Sequence, residues 1–535
     1  MTDASLHDVL AAAKQLNFTV PPEHETDYLA LLRKTDAFCK LVLAEEGNPK
    51  TDYQPLPALA RFPRTRVHLP KGGALENPLR AWAWRADAGD ALDSKGKVLS
   101  GKTVVFKDTV CMAGVPLLFG TDAFVDYTPA VDASVVARVL ENGGHITGKA
   151  ACENFSHGPS SSSTPYGPVE NPHATGFSAG GSSSGCGALI ASGAADMGIG
   201  GDQGGSIRIP ASLCGIVGLK PTFGLVPYTG VLPSEAGLDL VGPMARTVLD
   251  TAALLQAVAG YDGIDDRQLG APAPDQVPHY PDLVLSYRKQ GITGMRIGVL
   301  KETFEHPDLV EGVSKLVRAA IEGFVRLGAT VGEVSVPTQP LTPALNHIIN
   351  KFGSGPTRQG RQCGRRGLYL NDFWDQLLPW TQDKYDKAKY YVTGTAMSSE
   401  YGWSKYPSAY GRAINMSRKM RDEIDTALGE YDVLVMPTMP QPARRHHSPN
   451  AGPLEWAGHA PGATAFTATT NFTGHPALTI PVGKVHPLPV DRVSAADDSI
   501  LLPVGMMIVG KYWDETTLFR VADAWEGSYD WTALS

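Results

Sequence analysis

Apolar residues recur at helical spacing near the start of the chain, where Tyr28, Leu29, Leu31, Leu32 and Phe38 fall on one face. The run closes in the proline-containing stretch Tyr53 to Pro63, so the pattern predicts an N-terminal helical segment over residues 1–70. From about Lys102 the rhythm changes. Short apolar runs (TVVFK, HITGK, MRIGVL) alternate with helical ones (VVARVLENGG, Thr247 to Ala259). After MRIGVL, the residues Val313, Leu316, Val317, Ala320, Ile321, Phe324 and Leu327 mark one face of a further helix. This alternation predicts an α/β fold with helices around a mixed sheet. Residues 340–430 carry Trp374, Trp380, Tyr390, Tyr391 and Trp403 and read as helices and long loops, an insert suited to covering a pocket. Strands return at DVLVMPT, ALTIPVG and GMMIVGK, before a last helix from about Asp514 to Glu526.

Composition narrows the partners more than the fold. With 43% hydrophobic and 19% charged residues the chain is an ordinary globular protein, and 535 residues suffice for a large core. A net charge of −8 offers no basic footprint for nucleic acid or an anionic membrane, which leaves small molecules as the expected partners. The opening MTDASLHDVLAAAKQL lacks the apolar core of a signal peptide, and no later run approaches a membrane span; the expected location is the cytoplasm. Cys39, Cys111, Cys152, Cys186, Cys214 and Cys363 lack the spacing of a metal site and read as buried free thiols. The glycosylation-like triplets at Asn17, Asn154 and Asn471 have no meaning in a chain that is not secreted.

Fourteen glycines lie in the forty-nine residues from Gly176 to Gly224, interleaved with Ser182, Ser183, Ser184 and Ser206. Backbone amides in so bare a loop can converge on a phosphate or on a developing oxyanion. The one phosphate-loop match, Gly143 to Lys149, fails because Ala150 stands where a magnesium-binding hydroxyl belongs, and because HITGK reads as a strand. Acyl transfer instead needs a nucleophile and a base. No histidine sits in a recognisable partner motif, but Lys107, at the end of an apolar strand, becomes a base if burial lowers its pKa. Each piece also has a plainer explanation: Ser182 to Ser184 as helix caps, Lys107 as a solvated strand end, Ser206 as a loop hydroxyl, Asp202 and Arg208 as a structural ion pair. Their joint occurrence favours the chemistry.

Lys107 within VVFKD, the run GGSSSGCGALIASG and the run GGDQGGSIRIPASLCGIVGLKPTFGLVP resemble the three blocks of the amidase signature family, with Ser182 and Ser206 at 75 and 99 residues beyond Lys107. The likeness extends through VGPMARTVLDTA, GHPALTIPVG and LPVGMMIVGKYWDE. It implies one large α/β domain over residues 71–535 with a twisted mixed sheet, and a Ser-cisSer-Lys triad: Ser206 attacks the carbonyl, Ser182 relays the proton, and Lys107 is base and then acid. By the same resemblance the backbone amides of Gln203, Gly204, Gly205 and Ser206 form the oxyanion hole, Ser183, Asp202 and Arg208 support the loop, and Phe155 and His157 of CENFSHG lie at the substrate pocket. No cofactor and no metal is implied. The subgroup that GGDQGGSIRIPA and KPTFGLVPYTG resemble most, amide hydrolases associated with nitrile hydratases, takes small aliphatic and aromatic amides; a carbamate (urethane) or anilide hydrolase would use the same triad. The amidotransferase component that works on misacylated tRNA shares the signature, but the N-terminal extension and the aromatic insert set this chain apart from it. An inactive binding protein would have lost a triad residue, and all three are present. The apolar face of the N-terminal helices suggests a homodimer.

Overall fold

Twelve strands hydrogen-bond into one mixed sheet in the computed structural model, which describes residues 3–535 except 49, 56, 58, 71–75, 90–93, 125–126 and 449. The strands are β1 (Thr65–His68), β2 (Trp82–Ala88), β3 (Thr103–Lys107), β4 (His145–Ala150), β5 (Glu170–Asn171), β6 (Ala174–Ser178), β7 (Met197–Gly201), β8 (Val217–Lys220), β9 (Val241–Ala245), β10 (Arg296–Leu300), β11 (Thr330–Val334), β12 (Val433–Pro437), β13 (Ala477–Val485) and β14 (Leu502–Val509). Their order across the sheet is β1-β2-β4-β3-β7-β9-β8-β13-β14-β12-β10-β11, and β5 pairs only with β6. The central strands are apolar along their whole length, as strands covered on both faces must be. The α/β expectation holds.

The chain divides into two units, Met1–Leu56 and Pro57–Ser535. In the first, the helix Leu6–Gln15 starts at a capping box between Ser5 and Asp8, and Val9, Ala13 and Val20 pack with Leu29 and Leu32 of the helix Glu25–Ala44. The helical segment is thus shorter than the expected 1–70. Prolines 55, 57 and 63 break the helical pattern, Phe62 is buried in the main core, and β1 pairs antiparallel with β2. Leu31 and Phe38 of the predicted apolar face are exposed.

In the second unit the helix Glu311–Arg326 buries Val313, Val317, Ala320, Ile321 and Phe324, the face its spacing predicted, against β12, β13 and β14. Each such side chain fully buried contributes about 1.5–3 kcal/mol. Residues 340–430 form the helices Thr342–Arg358, Asn371–Leu377, Gln382–Lys387, Tyr390–Lys405 and Ala409–Glu430. HITGK is strand β4, and Lys149 pairs with Asp108 at 2.8 Å, both fully buried, so this lysine neutralises an internal carboxylate. Four cysteines are buried free thiols as expected, but Cys39 and Cys363 are exposed because each lies on a surface element. Among the described residues, no helix is long and apolar enough to cross a membrane.

Candidate active site

Strands β4, β3 and β7 are adjacent and parallel, so their C-terminal ends meet at one edge of the sheet. β3 ends in Lys107. β7 runs into the loop Asp202–Ile207 and then the helix Arg208–Cys214, and β4 runs into the segment that carries Ser156 and His157. Ser182 comes from the loop before the helix Ser184–Ala191, and the Gly181–Ser182 peptide is cis. Strand order therefore brings together the segments of Lys107, Ser156 and Ser206, and the Ser182 loop joins them from outside this sheet.

Lys107 is fully buried, and its Nζ donates to Ser182 Oγ at 2.7 Å and to the Gly201 carbonyl at 3.4 Å. Burial lowers its pKa, with the nearby thiols and the acids Asp202 and Glu153 opposing the shift only partly. Ser182 Oγ also shares a hydrogen bond with Ser156 Oγ at 3.1 Å. The Ser183 amide donates to the Ser206 carbonyl at 3.2 Å, which ties the Ser182 loop to the loop bearing Ser206. The Ser183 hydroxyl bonds to the backbone of Gly201 at 3.2 Å and makes no helix cap. Because Gly201 O also accepts from Lys107, Ser183 fixes the carbonyl that orients the lysine.

The loop Asp202–Ile207 is held from below. Arg208 and Asp202 are both fully buried and form a two-pronged ion pair at 2.9 and 3.0 Å. Burial alone would raise the Asp202 carboxyl; Arg208, with Asn471, outweighs it and holds the pKa at about 2. The carboxylate accepts from the Gly205 amide at 2.7 Å and the Ile207 amide at 3.1 Å. Arg208 in turn donates to Thr467 O, Thr470 Oγ1 and Asn471 Oδ1, each at 2.7 Å. Gly205 has φ +138°, and a Cβ there would sit 2.3 Å from Thr467 Oγ1. A side chain is therefore excluded at Gly205 by the supporting scaffold itself.

Above the loop lies a cavity of about 540 Å³, lined by Ser206, Gln203, Gly204, Ser156 and His157 on one side. The insert forms much of the rest, with residues of Thr342–Arg358 and Tyr390–Lys405, and Trp456 completes an aromatic wall. Ser206 opens onto this space while Lys107 and Ser182 lie sealed beneath it. The arrangement offers an accessible hydroxyl, a buried proton acceptor one serine away, and bare backbone amides around the hydroxyl.

The sequence pattern of the amidase family matches residues 74–519. The chain belongs to the amidase signature family. It is an amidase, a hydrolase of carbon–nitrogen bonds. Among its relatives, an enantioselective amidase of Rhodococcus rhodochrous is 37% identical over 462 residues, 84% of this chain and 83% of its own. One component of the glutamyl-tRNA(Gln) amidotransferase of Caldanaerobacter subterraneus subsp. tengcongensis is 33% identical, over 84% of this chain and 87% of its own. The solved peptide amidase of Stenotrophomonas maltophilia superposes with a TM-score of 0.62 at 28% identity, covering 80% of this chain and 82% of that one.

Within this amidase two expectations need correction. Phe155 is fully buried among Phe119, Phe124 and Trp380, away from the cavity lining. Its φ of +50° turns the backbone so that the next residue, Ser156, faces Ser182. The Gly205 amide, expected in the oxyanion hole, is spent on Asp202, because that carboxylate needs donors once it is buried. Gln203, Gly204 and Ser206 keep amides with no hydrogen bond among the described residues. His157 does line the cavity, but both ring nitrogens are engaged: Nδ1 accepts from Arg358 at 3.2 Å and Nε2 bonds Thr395 Oγ1 at 2.9 Å. Burial, with Arg358 and Lys351 nearby, keeps the ring neutral.

Sequence reasoning misses Ser156, Thr467 and Asn471. Ser156 stands unmarked between the two residues of CENFSHG that the family resemblance singles out. Asn471 reads from sequence only as part of a glycosylation triplet, yet its amide donates to Asp202 Oδ1 at 2.9 Å and to the Asp202 carbonyl at 3.1 Å. A buried asparagine satisfying an aspartate on one side and an arginine on the other leaves no local sequence signal.

Proposed function

We propose that the enzyme hydrolyses the amide bond of small carboxylic acid amides to the acid plus ammonia or amine through an acyl-enzyme on Ser206. The observation that carries this reading is the fully buried 2.7 Å contact between Lys107 Nζ and Ser182 Oγ, next to the loop that exposes Ser206. Neutral Lys107 accepts the Ser182 proton as Ser182 takes that of Ser206, whose oxygen attacks the carbonyl carbon. The amides of Gln203, Gly204 and Ser206 receive the oxyanion. Lys107, now protonated, returns its proton through Ser182 to the leaving nitrogen, the C–N bond breaks, and water attacks the ester by the same route to release the acid and free Ser206. Ser156, bonded to Ser182, holds the relaying hydroxyl in place.

Release of ammonia or amine from short aliphatic amides, benzamide, an anilide and ethyl carbamate tests this reading, with Ser206→Ala as control. Ammonia from the simple amides is expected in the native protein and none in the variant. Faster turnover of the carbamate or anilide would assign a different leaving group to the same nucleophile, and turnover surviving in Ser206→Ala would overturn the mechanism.

The proposal includes a cytoplasmic homodimer joined through the N-terminal helices. Its support is the stripe of exposed Leu31, Phe38, Leu41 and Val42 along the helix Glu25–Ala44. Light scattering is expected to return about twice 57.0 kDa for the full chain and the single-chain mass after Leu31→Glu with Phe38→Glu; a single-chain mass for the native protein would overturn dimerisation.

A further inference from the structure

The helix Thr342–Arg358 lines the active-site cavity with Pro343, Asn346, His347, Asn350 and Lys351, the i, i+3, i+4, i+7, i+8 spacing of a single helical face. The hydrolytic steps use none of them. Lys351 is half-buried, and among the described residues it makes no ion pair or hydrogen bond and no aspartate or glutamate lines the cavity. Withdrawal from water without a counter-ion is unfavourable for a cation, and burial draws the Lys351 pKa below its ordinary value. The cavity's other basic groups do not change this balance: His157 is held neutral, and His347 is shifted down by its own burial and by Lys351.

Asn346 and Asn350 each have a buried Oδ1 without a partner; these oxygens are acceptors and do not hold an anion, which leaves the Lys351 ammonium as the group of this wall that attracts one. Another part of the lining is aromatic and fixed: Tyr391 and Trp456 pack edge to face with centroids 5.7 Å apart, and the Tyr391 hydroxyl donates to the Trp456 carbonyl at 2.8 Å. A substrate is thus offered both an aromatic surface and a cation. The register along the helix sets the distance. Asn346 borders the nucleophile loop, since a Cβ on Gly204 would lie 3.3 Å from its Oδ1. Lys351 follows five residues later, about 7.5 Å along the helix axis.

We propose that Lys351 forms an anion subsite that binds a carboxylate on the acyl chain of the substrate, several bonds from the scissile carbonyl. The assignment rests on the reading of Ser206 as the nucleophile of amide hydrolysis. A primary amide leaves as ammonia, so its carboxylate must be carried on the acyl side. The preferred substrate class is then the monoamide of a dicarboxylic acid, and Lys351 is a specificity-determining residue.

Adipamate and hexanamide are matched probes, alike in chain length and different in the terminal carboxylate. Calorimetry on the Ser206→Ala protein reads binding without turnover. Adipamate is expected to bind at least about tenfold more tightly than hexanamide, the ratio expected of one hydrogen-bonded charge pair. Lys351→Met or Lys351→Gln in the same background should bring the ratio close to one, and Lys351→Glu should invert it. Equal binding of the two probes by the Ser206→Ala protein, or a preference that survives both neutral substitutions, overturns the subsite. Turnover by the native protein is scored separately. Preferential binding of adipamate without ammonia release from either probe would overturn the hydrolytic reading and uphold the anion subsite.

Discussion

Replacing Lys107 with methionine is expected to lower kcat by about 10⁴-fold or more with little change in KM. Methionine nearly preserves the buried volume, which matters because Lys107 is fully enclosed and truncation to alanine would leave a cavity. The nitrogen that bonds Ser182 Oγ at 2.7 Å is lost, and among the described residues no other base is in contact with that hydroxyl, since its second partner is Ser156. Substrate binding rests on the cavity above and is untouched. The same lysine sets the pH dependence. It must be neutral to accept a proton, and burial lowers its pKa, so kcat should rise from acid toward alkaline pH as Lys107 deprotonates and then level off. The direction of the shift places that rise below the ordinary lysine range. Ammonia release across a pH series measures it; a rate that falls with rising pH would exclude Lys107 as the base.

The second large effect concerns stability. Asp202→Ala is expected to destabilise the protein by about 3–5 kcal/mol and to abolish turnover, read from the unfolding midpoint and from ammonia release. The carboxylate compensates the fully buried Arg208 and anchors the amides of Gly205 and Ile207, so its loss leaves a charge without a partner and unpins the nucleophile loop. Linkage gives the pH signature. The Asp202 carboxyl is held at about 2 against an ordinary value of 3.8, so its stabilisation is complete above the unfolded value and is lost as pH falls from about 4 through about 2. That difference corresponds to about 2 kcal/mol. The native protein should lose this increment on acidification and Asp202→Ala should not. Equal acid sensitivity of the two proteins would show that the ion pair carries no such share.

Most members of the site are legible as residue types in short motifs. Lysine at the end of an apolar strand, serines among glycines, and an aspartate six positions before an arginine each carry a local signature. That is why Lys107, Ser182, Ser183, Ser206, Asp202 and Arg208 can be named from sequence. Ser156, Thr467 and Asn471 cannot, because what they touch comes from 26, 263 and 269 residues away. Gly205 is misread for a different reason, the burial of a neighbouring side chain. Its place in a glycine-rich loop assigns its amide to the oxyanion hole, yet the buried carboxylate three residues earlier claims it.

Apolar periodicity determined the alternation of strands and helices, the buried face of Glu311–Arg326 and the helical insert, since these are properties of neighbouring residues along one element. Motif chemistry determined the family. Strand order was decided only in three dimensions: placing β3 between parallel β4 and β7 brings Lys107, Ser156 and the Ser206 loop to one sheet edge, and pairing between distant strands cannot be read from either strand alone. Burial was decided there as well. Whether Lys107 is a solvated strand end or a shielded base, and whether Lys351 meets water or an acid-free cavity, depends on what the rest of the chain packs around them, because desolvation is a property of the whole enclosure.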